Sequence, residues 1–576
     1  MYTQNIIQDF YKSLIGKRIL LIVNYDVDAI CACKILQTLF KYDNTLYTLC
    51  PVLGIEDLKR AYAENCDEIK YIILLNCGGS VDIVDLLQLP DDVIVYILDS
   101  HRPIDICNIY SSGQIRILGK PESNIPAFEE IFRDDESDED DQNDDDSESE
   151  EGMSRTELAE QRILKRREKR LWEEKRNKIM FDYTQFSYYG PSSAIILFEL
   201  AWKLSKDSME LLWWAIIGAT EQLIMDKVET SQYTLDTEVL HSHVSRLIHR
   251  ANDQQMQSSL KISFERDLRL ALYRHWSVEA SLRHSIYTAC KLKLWTLRGE
   301  KKMQELLAEM GLPLVQARQT FSSMDLTLRK EFHSMIEKLA EKYDLKDLVY
   351  ASFTMQYGYR NKYCASDIVY TMLSILESTS KERSRETCFL DAMDCLSRSQ
   401  RGLLENGIEQ AKKMLTVIFR QTQTTLETHQ VMSAGPFLYL ILDEESPYFS
   451  NPYGLIMLAQ FALRGHVAVS RSRRANALPL IACAPLQLHD TAMGQRTDNE
   501  LKAMSSQEME LYGMCLMVGL PPVCEDSPKN FFGKAFEQAA HKSQILAFSD
   551  FFDTSIVKIK YSDRTKFLDA LTALLS

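Results

Sequence analysis

Three short polar turns hold the residues of this chain best suited to chemistry: Asn24-Tyr-Asp26-Val-Asp28-Ala, Asn76-Cys-Gly78-Gly79 and Asp99-Ser100-His101-Arg102-Pro103. Two carboxylates spaced by one residue, with a third beside an imidazole, are the donor types that hard divalent cations take. Two such ions side by side clamp the attacking and leaving oxygens of a phosphoester. Metal-dependent phosphoester hydrolysis is therefore the chemistry the turns suggest. A structural reading stands beside it, in which the same side chains cap helices and turns. Asp28, just ahead of a helix expected from Ala29, has the residue type and position of an N-cap.

Each turn follows a strongly apolar segment, at 19–23, 71–75 and 93–98. Such continuous runs suit strands buried on both faces. Between them, 29–40 and 57–65 read as helices, 46–52 as a weaker strand and 81–87 as a short helix, with a further strand at 115–118. Repeated strand–helix units imply a parallel sheet covered by helices. Ligands of such sheets bind outside the carboxyl ends of the strands, where these turns converge.

The chain has 576 residues, beyond the ~250–300 at which a single core stops growing. Only 21 Gly and 15 Pro predict a helix-rich protein. Residues 134–151 hold thirteen Asp or Glu and no Lys or Arg, so of a net charge of −16 only −3 belongs to the rest. The run cannot bury apolar surface and reads as disordered, with Ser137 and Ser147 as candidate acidophilic phosphorylation sites. The near-neutral remainder gives no global pull on nucleic acid, so any such contact needs a local basic surface. Ser154-Arg-Thr-Glu157 has capping-box spacing and opens a charged helix over 155–178. That helix is read as solvated; its basic run 165–170 also suits nuclear import or a nucleic-acid contact.

Helices at 192–204 and 209–224, apolar nearly all round, are expected to pack back on the first sheet, making 119–180 an excursion from it. Residues 226–400 read as mainly helical, with Phe264, Leu268, Leu272 and Trp276 on one helix face. His241 and His243 are a weak metal hint, outweighed by the polar helix that Arg246, His249 and Arg250 imply. A long helix over 401–428 leads to a second α/β region. There, 437–443, 478–485, 510–518 and 555–561 read as strands, and 455–463, 531–541 and 564–575 as helices. The expected units are 1–133 with 180–225, 134–179, 226–428 and 429–576. Thirteen scattered Cys without a CxxC pair suggest reduced thiols. The first residues lack a signal-peptide pattern, and the most apolar stretch, 211–219, is too short to span a bilayer.

Taken in order, Asp26-Val-Asp28-Ala, Asn76-Cys-Gly78 and Asp99-Ser100-His101 resemble motifs one to three of the DHH phosphoesterase superfamily, which includes the RecJ single-strand exonucleases. The runs at 27–36, 212–216, 530–536 and 566–571 are similar to the eukaryotic cell-division-cycle protein forty-five family, over essentially the whole chain. The resemblance implies an α/β fold: a DHH-type parallel sheet with helices on both faces, a mainly helical insertion, and a smaller DHHA1-like α/β domain. This chain departs from the active superfamily. Asn76 stands where a metal-ligand Asp is expected and Ser100 where the first imidazole is. A fourth motif falls near Gly218-Ala-Thr-Glu221, and Phe531-Phe-Gly-Lys534 replaces a glycine-rich turn. Asp26, Asp28, Asn76, Asp99, Ser100 and His101 are then relic positions, with no catalytic residue, metal or cofactor expected.

The resemblance further implies a non-catalytic subunit of the replicative DNA helicase. It would bridge the MCM hexamer and the GINS complex in the nucleus, near the replication-fork polymerase and loading factors, with no membrane. The sequence has no G-x-x-x-x-G-K-[ST] phosphate loop, which fits a motor residing in MCM. Single-stranded DNA is a further expected partner, with Arg471, Arg473, Arg474 and Lys534 as contacts and Phe532 and Phe536 as stacking faces. Two alternatives remain at this point: an active exonuclease whose manganese-dependent cleavage Asp26→Ala abolishes, and an adaptor that binds no DNA.

Overall fold

The computed structural model describes all residues except 67–68, 112, 133–154, 254–259, 358–360, 381–382, 444–445, 471–472, 487–512 and 524–528. The acidic run, both candidate phosphorylation sites and the Ser154 cap lie outside the described residues.

The first sheet contains β1 (Arg18–Asn24), β2 (Leu46–Val52), β3 (Tyr71–Leu75) and β4 (Ile94–Leu98). A two-residue β5 (His101–Arg102) follows, and β6 (Ile115–Ile117) completes the sheet in the order β2-β1-β3-β4-β6, all parallel. Alternation sorts its apolar residues onto two cores. Ile19, Leu21, Val23, Ile73, Leu75, Tyr96 and Leu98 face one, and Leu20, Ile22, Ile72, Leu74, Val95 and Ile97 the other. The helix Val27–Tyr42 lies on the first face, and the helices Ser193–Lys203 and Met209–Ile224 pack against that helix. The apolar pair thus returns to the first sheet through an intervening helix. Between them, β7 (Tyr188–Tyr189) pairs antiparallel with β5. The charged helix runs over Arg155–Thr184, longer than its composition suggested.

The middle region is less helical than its sequence implied. It contains a three-stranded antiparallel sheet of β8 (Leu260–Leu268), β9 (Val349–Tyr357) and β10 (Asn361–Cys364), ordered β10-β9-β8. Phe264 and Leu268 belong to a strand, so the four-residue spacing with Leu272 and Trp276 does not mark a helix face. Leu272 itself has φ 53°, a left-handed conformation that breaks any regular run. Asp267 anchors this corner: Arg274 clamps its carboxylate at 2.7 and 3.0 Å, and the Tyr273 hydroxyl donates at 2.9 Å. His241 stacks on Phe264, and His243 is buried edge-on to Phe198 and Trp202. The two imidazoles therefore serve packing.

The helix Arg401–Glu427 leads to a mixed sheet. β11 (Met432–Ser433), β12 (Leu438–Ile441), β13 (Leu480–Pro485), β14 (Met514–Leu520) and β15 (Ile556–Lys560) are neighbours in that order, with β12 and β13 parallel and the rest antiparallel. The helix Pro452–Val469 covers the face joined to the main core. The helices Phe532–Ser543 and Arg564–Leu575 pack together on the other side. The last third of the chain also reaches the turn that follows β2, at the start of the helix Ile55–Asn65. The Ile55 amide donates to the Asp550 carbonyl at 2.7 Å, and a Cβ on Gly54 would fall 2.3 Å from that oxygen, so only glycine allows the approach.

Candidate functional site

The carboxyl ends of β1, β3 and β4 bring the three polar turns together. Beyond β1, Asp26 is the N-cap of the helix Val27–Tyr42, and its Oδ1 accepts from the Ala29 amide at 2.7 Å. The helix begins two residues earlier than its apolar pattern suggested, which gives the cap to Asp26 and not to Asp28. Asp28 instead sits at the start of a different helix, Ser193–Lys203. Its carboxylate accepts from the Ser193 amide at 2.8 Å, the Ala194 amide at 3.1 Å and the Ser192 hydroxyl. Free amides and the dipole make a helix N-terminus a natural seat for a carboxylate.

Asn76 follows β3 with φ 51°, a left-handed conformation that Asn tolerates better than most residues. Its side-chain oxygen accepts from the Ser100 amide at 3.2 Å and from the Ser193 hydroxyl. That fixes the amide orientation, so Nδ2 points at both acids of the first turn. It lies 3.2 Å from Asp26 Oδ2, 3.4 Å from Asp26 Oδ1 and 3.0 Å from Asp28 Oδ2. Asp26 also accepts from Asn24 Nδ2 at 3.1 Å.

Beyond β4, Asp99 accepts from the Gly79 amide at 2.8 Å, the His101 amide at 2.9 Å and His101 Nδ1 at 2.7 Å. Burial alone would push the Asp99 carboxyl up, but the imidazolium and these amides together hold it below the usual carboxylate range. Burial likewise opposes the charge on His101, and Asp99 outweighs it, raising the imidazole. Ser100 lends only its backbone here: its amide donates to Asn76 and its carbonyl accepts from Gly190. Arg102 is buried, donating to the Asp99 and His101 carbonyls and pairing with Glu122.

The fourth segment also reaches the cluster. Gly218 lies on the helix Met209–Ile224 where a Cβ would fall 2.5 Å from Asp28 Oδ1. Glu221, one turn later, is fully buried and pairs with Lys227 at 2.8 Å. Burial pushes the Glu221 carboxyl up to about 7 against the pull of Lys227, and Asp26 adds to the rise. Burial also raises the Asp26 carboxyl, Lys227 opposes the shift and Asp28 reinforces it. The Lys227 ammonium is held charged against burial by Glu221, Asp26 and Asp28.

Residues far along the chain close on this cluster. The Tyr189 hydroxyl donates to Asp553 at 2.8 Å, and its ring lies 5.2 Å from that of His101. The Tyr453 hydroxyl donates to the Tyr25 carbonyl at 2.9 Å, and the Tyr453 amide donates to the buried Glu377. Sequence reasoning located Asp26, Asp28, Asn76, Asp99, His101 and the vicinity of Glu221. It missed Lys227, Tyr189, Ser192, Ser193 and Asp553. None of these falls in a recognisable spacing; each arrives through tertiary packing.

Arg471 lies outside the described residues. Arg473 and Arg474 begin a short 3₁₀ helix, Arg473–Ala477, with Arg474 exposed. Lys534 pairs with Glu537 at 2.7 Å on its own helix. Phe532 and Phe536 stack on each other with centroids 5.3 Å apart inside the C-terminal core. They present no face to a base, which removes the stacking surface expected around Lys534. Among the described residues, no three or more His, Cys, Asp or Glu form a cluster suited to a metal ion. No helix among them is long and apolar enough to cross a membrane.

The CDC45 family profile matches residues 19–161 and 126–574, most of the chain. The chain belongs to the CDC45 family. It is 42% identical to the human cell division control protein 45 homolog over 588 residues, with both chains covered in full. It is 28% identical to the Schizosaccharomyces pombe homolog, covering 97% of this chain and 96% of that one. The crystal structure of CDC45 from Entamoeba histolytica superposes with a TM-score of 0.69 at 22% identity, covering all of both chains, which is likeness of fold. Membership of the CDC45 family gives the chain a role in DNA replication.

Proposed function

We propose that this chain is a non-catalytic subunit of the replicative DNA helicase, joining the MCM hexamer to the GINS complex in the nucleus, and that its phosphoesterase-type site is inert. The observation that carries the second part is the Asn76 amide, which donates to both Asp26 and Asp28. A pair of divalent ions needs carboxylate lone pairs turned to the metal. Here Asp28 receives two backbone amides, a hydroxyl and the Asn76 amide, and Asp26 receives the Ala29, Asn24 and Asn76 groups. Glu221 Oε1 faces the Lys227 ammonium at 2.8 Å. These residues do not fit two metal ions.

The rest of the reading draws on family membership. One continuous apolar core running from the first sheet to the last suits a brace between larger partners. Contact with single-stranded DNA falls to exposed basic residues such as Arg474 and to Lys534, through phosphates and without stacking on Phe532 or Phe536. Reconstitution tests this: purified chain, MCM hexamer and GINS are mixed, resolved by size exclusion and assayed for ATP-driven unwinding. The expected result is one co-eluting assembly whose unwinding depends on this chain. Unwinding by MCM and GINS at the same rate without it refutes the proposal.

A further inference from the structure

We infer that Lys227 is the resident cation of the carboxylate cluster, a built-in charge at the place where the residue types of the turns otherwise call for a metal ion. The inference deepens the reading of the site as non-catalytic and rests on it. Asp26, Asp28, Asp99 and Glu221 are all buried, and the Asn76 amide joins Asp26 to Asp28. His101 pairs with Asp99. That leaves Asp26, Asp28 and Glu221. Lys227 pairs directly with Glu221, its Nζ 2.8 Å from Oε1 and 5.0 Å from the centre of the Tyr189 ring, and it acts on Asp26 and Asp28 through the field and not through contact. A carboxylate on one side and an aromatic face on the other are the surroundings of a desolvated ammonium. Asn76 Nδ2 supplies the second positive group, a partial one, between Asp26 and Asp28.

The position of Lys227 is built and not incidental. The helix Met209–Ile224 ends where Asp226 turns left-handed at φ 54°. The Lys227 amide then closes back on the Gln222 carbonyl at 2.8 Å, a helix stop that returns the next side chain toward the last turn. Arg464 grips the Asp226 carboxylate at 2.7 and 2.8 Å, and Gln460 Nε2 donates to the Met225 carbonyl at 2.9 Å. Both come from the helix Pro452–Val469. The C-terminal part of the chain therefore fixes the turn that aims the ammonium into a cluster built by the N-terminal part.

The test uses the full chain without DNA, so it is independent of cleavage and of helicase assembly. Wild type, Lys227→Met, Lys227→Arg and Lys227→Met/Asn76→Asp are compared by thermal unfolding in EDTA and in a millimolar Mn²⁺ series, with bound Mn²⁺ counted from the electron paramagnetic resonance of the free ion. Wild type is expected to take up no Mn²⁺ at the cluster and to melt identically in both media. Lys227→Met is expected to melt several degrees lower in EDTA and to recover in Mn²⁺. The double variant is expected to bind one Mn²⁺ per chain. Should Lys227→Met fail to fold in EDTA, Mn²⁺-dependent refolding and near-native melting of Lys227→Arg are expected. Wild-type melting of Lys227→Met in EDTA overturns the inference. So does Lys227→Arg proving as damaging as Lys227→Met, or Mn²⁺ uptake by wild type that Asp26→Asn abolishes.

Discussion

Replacing Asp28 with Asn separates a structural carboxylate from a catalytic one. Asp28 accepts from the Ser193 amide, the Ala194 amide, the Ser192 hydroxyl and the Asn76 side chain. An amide of the same shape has one acceptor oxygen, so its NH₂ group must face donors: Ser193 and Asn76 in one orientation, Ser192 and Ala194 in the other. Bonds to a buried charged group contribute about 1.5–3 kcal/mol each, and a carboxylate at a helix N-terminus adds ~0.3–2 kcal/mol. Losing two such bonds and the dipole term costs roughly 3–8 kcal/mol by these figures. Relief of the repulsion that Asp28 exerts on Asp26 and Glu221 offsets some of it, about 1–2 kcal/mol at a high effective dielectric. The net expectation is a loss of roughly 1–7 kcal/mol, read as a lowered urea midpoint at pH 7.5 in EDTA by circular dichroism. A catalytic acid strained against its neighbours behaves oppositely, because neutralising it commonly stabilises the protein. An Asp28→Asn variant as stable as wild type, or more so, would refute the capping role.

Three further outcomes follow from the same geometry. Gly218→Ala places a methyl 2.5 Å from Asp28 Oδ1 and 2.9 Å from the Ala194 Cβ, and overpacking of this kind costs about 1–3 kcal/mol; an unchanged melting point would contradict the tight passage of that helix. Arg274→Met strands the buried Asp267 carboxylate, which burial pushes up and Arg274 with its neighbours holds below the usual range. In wild type this pair's contribution is fully present above the unfolded-state value of about 4 and is lost as pH falls below that, through the depressed folded-state value. The variant should therefore lose about 3–5 kcal/mol at pH 7 and a smaller amount near pH 4; a penalty independent of pH would contradict the assignment. If Arg474 and Lys534 each meet one phosphate, alanine at either lowers the slope of log affinity against log salt for single strands by ~0.7, and an unaltered slope removes that residue from the interface.

The inner strands of the first sheet were legible because they are apolar on both faces, as in Ile19–Val23, whereas the edge strand Leu46–Val52 is only partly buried and gave the weaker pattern. The convergence of the three turns followed from parallel topology alone. The identity of the helix cap did not: Asp26 and Asp28 are both plausible caps by type, and the choice depends on where Ser192 and Ser193 arrive. Lys227 was invisible for a related reason, since its aim is set by a left-handed Asp226 and by Arg464 from a helix more than two hundred residues later. The strand at Leu260–Leu268 was misread because Phe264 and Leu268 fit a four-residue helical period as well as an alternating one, and only pairing with Val349–Tyr357 decides between them. The stacking faces expected beside Lys534 are absent because Phe532 and Phe536 turn inward into the C-terminal core.

On the function proposed above, the buried acids around Asn76 hold the scaffold together and hydrolyse nothing. The most direct measurement is incubation of the purified chain with end-labelled single-stranded DNA in Mn²⁺, alongside Asp26→Ala, scoring binding and cleavage in the same reaction. The expected result is intact DNA in both, with any binding weakened by salt. Stepwise shortening of the strand by wild type, abolished by Asp26→Ala, would contradict the claim and show that Asn76 and Lys227 leave room for catalysis.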